Sequence, residues 1–147
     1  MIVRTTSLPE LYAFTDAYLK RLVPSVDGAT LILLSGDLGS GKTAFAKAVG
    51  GVLHVFEEMT SPTFVIAKRY TTDGAQFRSL LHIDAYRLES GDELARLKWA
   101  EWLKEEKTLI LLEWPERVIS VLPKEAKRLQ FRFINETTRE IEETKEN

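Results

Sequence analysis

The amino-acid sequence predicts an α/β fold in which helices flank a mixed β-sheet and the C-terminal end is rich in strand. Two short, continuous apolar runs, at residues 29–35 and 108–114, are typical of strands buried on both faces. Helical apolar spacing surrounds the first run, and two segments rich in β-forming residues, 128–134 and 139–144, close the chain. A length of 147 residues suits one domain spanning residues 1–147, with a polar tail at about 144–147 that we expect to fray.

The first half of the chain is predicted to alternate helix and strand. Ser7 followed by Glu10 matches a capping box, and apolar residues recur at helical spacing over residues 8–22. After the apolar strand at 29–35, a second helix is predicted from Lys42 until it stops near Gly50 and Gly51.

The second half is predicted to contain a hairpin, a helix and further strands. Residues 63–72 and 76–84 are rich in β-forming side chains, and Asp73-Gly74 between them is a hairpin turn signal. A single helix is predicted over residues 91–105. The order of elements is therefore αβαββαβ followed by a β-rich end.

Composition excludes several classes of function. The net charge of −2 and the pI of about 5.8 argue against a bulk nucleic-acid binder, which needs a basic surface. There are no cysteines, so disulfides, cysteine zinc sites and thiol nucleophiles are absent. No apolar run approaches the roughly 18 residues that cross a bilayer, and the N-terminal MIVRTTSLPE lacks a signal-peptide core. We therefore expect a cytosolic protein that contacts no membrane.

Residues 36–43, GDLGSGKT, match the phosphate-binding pattern G-x-x-x-x-G-K-[ST]. Glycines are needed there because a bulky Cβ would hold the backbone N–H groups away from phosphate oxygens. A chance glycine turn is the alternative, but a buried strand before the loop and a helix after it are the context of a P-loop NTPase-like fold. The residues predicted to bind the nucleotide in this loop are Gly36, Asp37, Gly39, Ser40, Gly41, Lys42, Thr43 and Ala44.

Two carboxylates stand where a P-loop site needs an acid to hold Mg²⁺ or its water. Asp84 ends the strand SLLHID, and Glu113 ends the strand TLILLE. A solvated loop acid is the alternative for each. If the strand at 76–84 runs parallel to the P-loop strand, both acids reach the crevice at the carboxyl ends of the sheet. The sequence then predicts a metal site formed by Thr43, Glu113 and Asp84.

The nucleotide class follows from motifs that the chain lacks. Neither an N-K-x-D guanine motif nor a D-x-x-G switch occurs in the sequence, which argues against a GTPase. Arg87 and Arg96 are few arginines for the phosphate-closing lid of a small-molecule kinase. ATP hydrolysis is therefore favoured, with a small-molecule kinase and a nucleotide-dependent adaptor of negligible turnover as the alternatives.

The chain resembles the TsaE (YjeE) family of small P-loop ATPases. Four blocks carry the resemblance in order: GDLGSGKT, TSPTF at 60–64, HIDAYRL at 82–88 and EWPE at 113–116. The resemblance implies a role in forming N6-threonylcarbamoyladenosine (t6A) in tRNA together with the proteins TsaB and TsaD. It also implies ATP and Mg²⁺ as cofactors, and hydrolysis that is weak alone and stimulated by the partners.

The resemblance also assigns roles to individual residues. It implies that Lys42 and Asp84 act in hydrolysis, with Thr43 and Glu113 on the magnesium side. It implies a switch in the SPT stretch, where Ser61 and Thr63 offer hydroxyls to the nucleotide. Two positions depart from the family pattern: Lys98 stands where a glycine is usual, and Leu11 where many members carry threonine.

For other polar and aromatic residues, we favour structural roles over catalytic or binding roles. His82 is expected to be packed and hydrogen-bonded rather than a catalytic base. Trp99 and Trp102 share a helix face and are expected in the core. A basic patch could give a weak or indirect tRNA contact, but a solvated surface is favoured for its members, which are Lys68, Arg69, Arg78, Lys98, Lys104 and Lys107.

Overall fold

The computed structural model describes residues 1–59, 66–74 and 76–144 and confirms an α/β fold built on a mixed sheet. The strands of these ranges are β1 (Ile2–Thr5), β2 (Thr30–Ser35), β3 (Ala67–Thr71), β4 (Ser79–Asp84), β5 (Thr108–Glu113), β6 (Lys127–Phe133) and β7 (Arg139–Thr144). The helices are α1 (Leu8–Arg21), α2 (Lys42–Val52), α3 (Gly91–Ala95) and α4 (Trp99–Leu103), with 3₁₀ turns at Pro115–Arg117 and Ile119–Val121. Within these ranges, no helix is long and apolar enough to cross a bilayer.

The strands form one sheet in the order β1-β7-β6-β2-β5-β4-β3. β2 pairs in parallel with both β5 and β6, and β5 pairs in parallel with β4. The strand that ends in Asp84 therefore runs in the same direction as the P-loop strand, so the condition placed on the two acids is met. The outer strands β1, β3 and β7 are antiparallel to their neighbours.

The core lies on both faces of the central strands. All six residues of β5 and the first five of β2 are buried, as their continuous apolar sequences require. Because successive side chains point to opposite faces, Ile32 and Leu34 pack towards α1 and α2, whereas Leu31 and Leu33 pack towards α3 and α4. Two hydrophobic clusters therefore hold the carboxyl ends of the central strands in place.

The predicted capping of α1 is present with one variation. The Ser7 hydroxyl accepts a hydrogen bond from the Glu10 N–H at 3.2 Å. The Glu10 carboxylate accepts from the N–H of Thr6 at 2.7 Å, one residue before the expected donor. This carboxylate hydrogen bond lowers the pKa of Glu10. The cap fixes the turn between β1 and α1, which borders the site described below.

Two elements differ from the sequence-based predictions. β1 was not anticipated, and it forms by pairing with β7, more than a hundred residues away. The single helix predicted over 91–105 is wrong, because residues 96–98 separate α3 from α4. There the chain turns so that the buried Trp99 can donate its indole N–H to the carbonyl of Val121, at 3.1 Å.

The end of α2 agrees with the prediction to within one residue, because the helix runs through Gly50 and Gly51 and ends at Val52. These two glycines are also sites of close packing. A Cβ on Gly50 would overlap the Met59 sulfur, and one on Gly51 would lie 3.2 Å from the Tyr12 ring. The predicted frayed tail lies almost wholly outside the described residues, as does the first part of the strand predicted at 63–72.

Candidate functional site

The phosphate loop runs from the end of β2 to the start of α2. Gly36, Gly39 and Gly41 all have positive φ angles, of 146°, 77° and 111°. Such angles strain any residue with a side chain, so these three glycines are required by the backbone itself. Gly36 is also crowded, because a Cβ there would lie 2.5 Å from the carbonyl oxygen of Phe131 on β6.

The N-terminus of α2 opens directly from this loop. Gly41 caps the helix without a side-chain hydrogen bond, and the first turn contains no acidic residue. The unsatisfied N–H groups and the positive end of the helix dipole are therefore available to an anion. Thr43 and Ala44, in that first turn, line the cleft in front of the helix.

Lys42 is buried, with 4% of its surface exposed. Its ammonium group donates to the carbonyl of Gly36 and lies 3.6 Å from the centre of the Trp114 ring. Burial lowers the pKa of Lys42, and the carboxylates of Glu113, Glu116, Asp84 and Asp37 oppose that shift. The positive charge thus stands beside the loop with acids around it.

Asp84 and Glu113 are paired residues at the ends of the neighbouring parallel strands β4 and β5. Asp84 is half-buried, and its Oδ1 accepts the Tyr86 N–H at 3.0 Å. Burial raises the pKa of Asp84, and the Glu113 charge raises it further, while that hydrogen bond and the charges of His82 and Lys42 lower it. The register of the sheet therefore brings together the two acids that the sequence predicts.

Glu113 is almost completely buried and is held by His82 from the adjacent strand. The distance from His82 Nε2 to Glu113 Oε2 is 2.6 Å. Because a carboxylate can only accept, His82 donates from Nε2 whenever Glu113 is ionised. His82 is thus packed and hydrogen-bonded, as predicted. It fixes Oε2 of Glu113, and this hydrogen bond does not involve Oε1. His82 Nδ1 has no hydrogen-bond partner among the described residues.

The donor set suits a magnesium ion held jointly with a nucleotide. Within the described ranges, no three His, Cys, Asp or Glu side chains could enclose a metal by themselves. Mg²⁺ typically takes one or two protein carboxylates and completes its shell with phosphate oxygens and waters. Thr43, Asp84 and Glu113 offer that small set of oxygen ligands, since all three line one cleft.

Trp114 follows Glu113 in a left-handed backbone conformation, with φ 60° and ψ 52°. A bulky residue adopts this region rarely, and here it turns the ring back towards the loop. The ring lies between the Lys42 ammonium and the Tyr86 ring, whose centre is 5.0 Å away. Trp114 therefore covers part of the Lys42 ammonium group.

A cleft of about 770 Å³ joins these parts. The residues that line it include the loop and the start of α2, from Gly39 to Ala44, together with Asp84 and Glu113. Thr5 to Leu8, Leu11 and, from the β6–β7 connection, Arg139 line it as well. Gly36 and Asp37 instead border a second cleft of about 780 Å³, on the other side of the loop.

The family model described as "Threonylcarbamoyl adenosine biosynthesis protein TsaE" matches residues 11–141. The chain belongs to the TsaE family. The matched range contains the phosphate loop, both acids and the strands β2 to β6, so the resemblance noted in the sequence is confirmed.

Named relatives agree with this assignment. The tRNA threonylcarbamoyladenosine biosynthesis protein TsaE of Streptomyces coelicolor is 36% identical, covering 83% of this chain and 82% of the relative. The protein of the same name from Bacillus subtilis is 33% identical, covering 86% and 77%. The crystal structure of Bacillus subtilis YdiB superposes with a TM-score of 0.71 at 27% identity, covering 96% of this chain and 82% of that one.

Sequence reasoning missed one side of this TsaE-family cleft. Thr5 and Thr6 line it because β1 pairs with β7, and the β-forming residues Ile2 and Val3 before the capping box were the available signal. Arg139 lines it as well, but no local motif marks that residue. The predicted switch residues Ser61 and Thr63 lie outside the described residues.

Proposed function

We propose that this chain binds and hydrolyses ATP with Mg²⁺ and thereby supports the formation of t6A in tRNA, acting with TsaB and TsaD. Family membership supports the t6A pathway, because the relatives are named for threonylcarbamoyladenosine biosynthesis. The observation that carries the ATPase is the meeting of a glycine phosphate loop with two acids at the ends of adjacent parallel strands.

The loop and Lys42 would hold the phosphates. Backbone N–H groups at the start of α2 point at the cleft, where the helix dipole adds to their attraction for an anion. The Lys42 ammonium is already desolvated beside the loop, and an electrostatic bond is stronger where water is excluded. Lys42, which contacts Gly36 and Trp114 in this structure, would supply its positive charge to the β- and γ-phosphates of a bound nucleotide.

The acids would occupy the reacting end of the nucleotide. Thr43 and Glu113 would hold Mg²⁺ with Asp84 beside them, and the ion would neutralise the charge that develops on the transferred phosphate. Asp84 is partly open to the cleft, so it can orient an attacking water molecule. Glu113 is less mobile, because His82 fixes one of its oxygens.

The test is ATP hydrolysis by the full chain, alone and with TsaB and TsaD. We expect slow release of free phosphate from the chain alone, stimulation by the two partners together, and loss of hydrolysis in Asp84→Asn. The absence of both stimulation and complex formation would contradict the proposed partnership. Transfer of phosphate to a metabolite would instead establish the small-molecule kinase. Full cellular activity of Asp84→Asn with ATP-dependent partner binding would establish the nucleotide-dependent adaptor.

A further inference from the structure

Arg139, the first residue of β7, connects the C-terminal hairpin to the phosphate loop. Its Nε–H donates to the carbonyl oxygen of Gly39 at 3.0 Å. Its Nη1 donates to the carbonyls of Asn135 at 2.7 Å and Thr138 at 3.2 Å. The aliphatic part of the side chain lies against Gly41, where Cγ would be 3.6 Å from an added Cβ. One side chain thus touches two of the loop glycines.

The hairpin end of this connection is firmly built. Asn135 Oδ1 accepts from the N–H groups of Thr137 and Thr138, each at 3.0 Å, and from the Thr137 hydroxyl. Such side-chain-to-backbone bonds fix a tight turn. Arg139 also stacks its guanidinium on Phe133, 4.6 Å from the ring centre. The arginine therefore starts from a rigid base.

The loop end, by contrast, has little other support. A Cβ added to Gly39 would meet no atom within 4 Å, so packing does not hold this part of the loop. The carbonyl and the N–H of one trans peptide point in opposite directions. Holding the Gly39 carbonyl outwards therefore turns the next N–H, that of Ser40, into the loop, where it donates to Asp37 at 3.1 Å.

We propose that Arg139 is a positioning residue of the nucleotide site, which holds the Gly39–Ser40 peptide in place and thereby fixes the backbone of the phosphate loop. This inference rests on the proposed ATP binding and extends it to the β6–β7 hairpin. The essential feature is the hydrogen bond from Nε, rather than the charge of the guanidinium. None of the ion pairs among the described residues includes Arg139, so its contacts with the protein are all to neutral carbonyls and one ring.

Two substitutions separate the hydrogen bond from the charge. In Arg139→Gln, the amide nitrogen stands at the chain position of the arginine Nε, so a donor to Gly39 is kept while the charge is lost. In Arg139→Lys, the charge is kept, but no donor stands at that position. Arg139→Ala removes both. Arg132→Ala is the matched control, because that arginine lies on the same hairpin but makes its side-chain hydrogen bonds to Glu140 and Glu142 rather than to a loop carbonyl.

The measurements are ATP and ADP affinity by calorimetry and steady-state hydrolysis by the full chain. We expect Arg139→Ala to bind both nucleotides about tenfold more weakly. The KM for ATP should rise with it while kcat changes by less than about twofold, because Arg139 is not placed at the reacting phosphate. Arg139→Gln should recover most of the affinity, Arg139→Lys should not, and Arg132→Ala should bind as the unmodified chain does.

Other outcomes would overturn the inference. If Arg139→Ala binds ATP and ADP as tightly as the unmodified chain does, the phosphate loop does not need the hydrogen bond from Arg139. Recovery by lysine but not by glutamine would mean that the charge acts directly on the nucleotide. If Arg139→Ala does not fold, as judged by thermal unfolding without ligand, the glutamine and lysine variants decide the question by the same criterion. If the unmodified chain binds neither nucleotide, the proposed function fails and this inference fails with it.

Discussion

The two halves of the sheet are built on different principles. β2, β4 and β5 are parallel, lie between layers of helices and carry almost continuous apolar sequences. β1, β6 and β7 are joined by antiparallel pairing and bury one face, whereas the other face carries charged pairs such as Arg132 with Glu142. The parallel half supplies the two acids and Lys42. The antiparallel half supplies other residues that line the cleft, including Arg139, which bonds to the phosphate loop.

The difference shows where precision in the site comes from. In the parallel half, the register of β4 and β5 places Asp84 beside Glu113. Buried apolar side chains on both faces of these strands stabilise that register. In the antiparallel half, a one-sided core leaves more of the positioning to individual hydrogen bonds, including those of Arg139. Substitutions in the parallel half should therefore mainly lower the free energy of unfolding. Substitutions in the antiparallel half should mainly weaken nucleotide binding, with little change in the free energy of unfolding.

The largest expected effect on stability is in the centre of the parallel half. Leu111, on β5, is fully buried, so Leu111→Ala leaves a cavity and should lower the free energy of unfolding by about 2–5 kcal/mol. Arg132→Ala, on the exposed face of β6, should cost less than about 1 kcal/mol, because the arginine of these ion pairs is exposed to solvent, which screens them. Urea unfolding of both variants measures this, and equal midpoints would contradict the contrast between the two halves.

A smaller effect is expected where the two halves meet, at Gly36. Gly36→Ala forces a side chain onto a φ of 146° and against the carbonyl of Phe131. We expect a loss of roughly 1–3 kcal/mol in the free energy of unfolding, together with weaker ATP binding. Gly74→Ala is the matched control, because its Cβ would lie 3.5 Å from the carbonyl oxygen of Phe77, an ordinary contact, and its φ is not positive. Undiminished stability of the Gly36 variant would show that the loop does not require this backbone.

The smallest effect on the free energy of unfolding is expected at Asp84. Unlike the substitutions above, a substitution there should raise it. Burial raises the pKa of Asp84 above the ordinary value of 3.8, so the ionised carboxylate is less favourable in the folded protein than in the unfolded chain. At pH values below the ordinary pKa, the group is protonated in both states and this cost is absent. The cost appears as the pH rises through the two pKa values and persists at neutral pH.

Asp84→Asn should therefore stabilise the fold at neutral pH, by less than about 1 kcal/mol because solvent screens a half-exposed group. The asparagine keeps an oxygen that can accept the Tyr86 N–H. The gain should shrink as the pH is lowered through the raised pKa of the native carboxyl, and it should vanish below the ordinary value of 3.8. Urea unfolding of both proteins across this range tests the sign, and a variant that is less stable at neutral pH would contradict it.

The sequence predicted most of the parallel half and little of the antiparallel cleft wall. Apolar runs and strand-end acids are local patterns, so β2, β5, Asp84 and Glu113 could be found without a structure. β1 and the contact between Arg139 and Gly39 join residues a hundred or more positions apart. The local sequence offers only Ile2 and Val3 as a signal for β1, and it offers none for the contact. The break between α3 and α4 was missed for the same reason, because it depends on where Trp99 finds a partner.

The central claim is that the phosphate loop binds ATP through Lys42, and calorimetric titration of ATP tests it most directly. Lys42→Ala removes the buried charge beside the loop and should weaken binding by about 100-fold or more. Lys47→Ala, an exposed lysine on the same helix, should bind ATP as the unmodified chain does. Unchanged ATP affinity in Lys42→Ala would contradict the assignment of the loop.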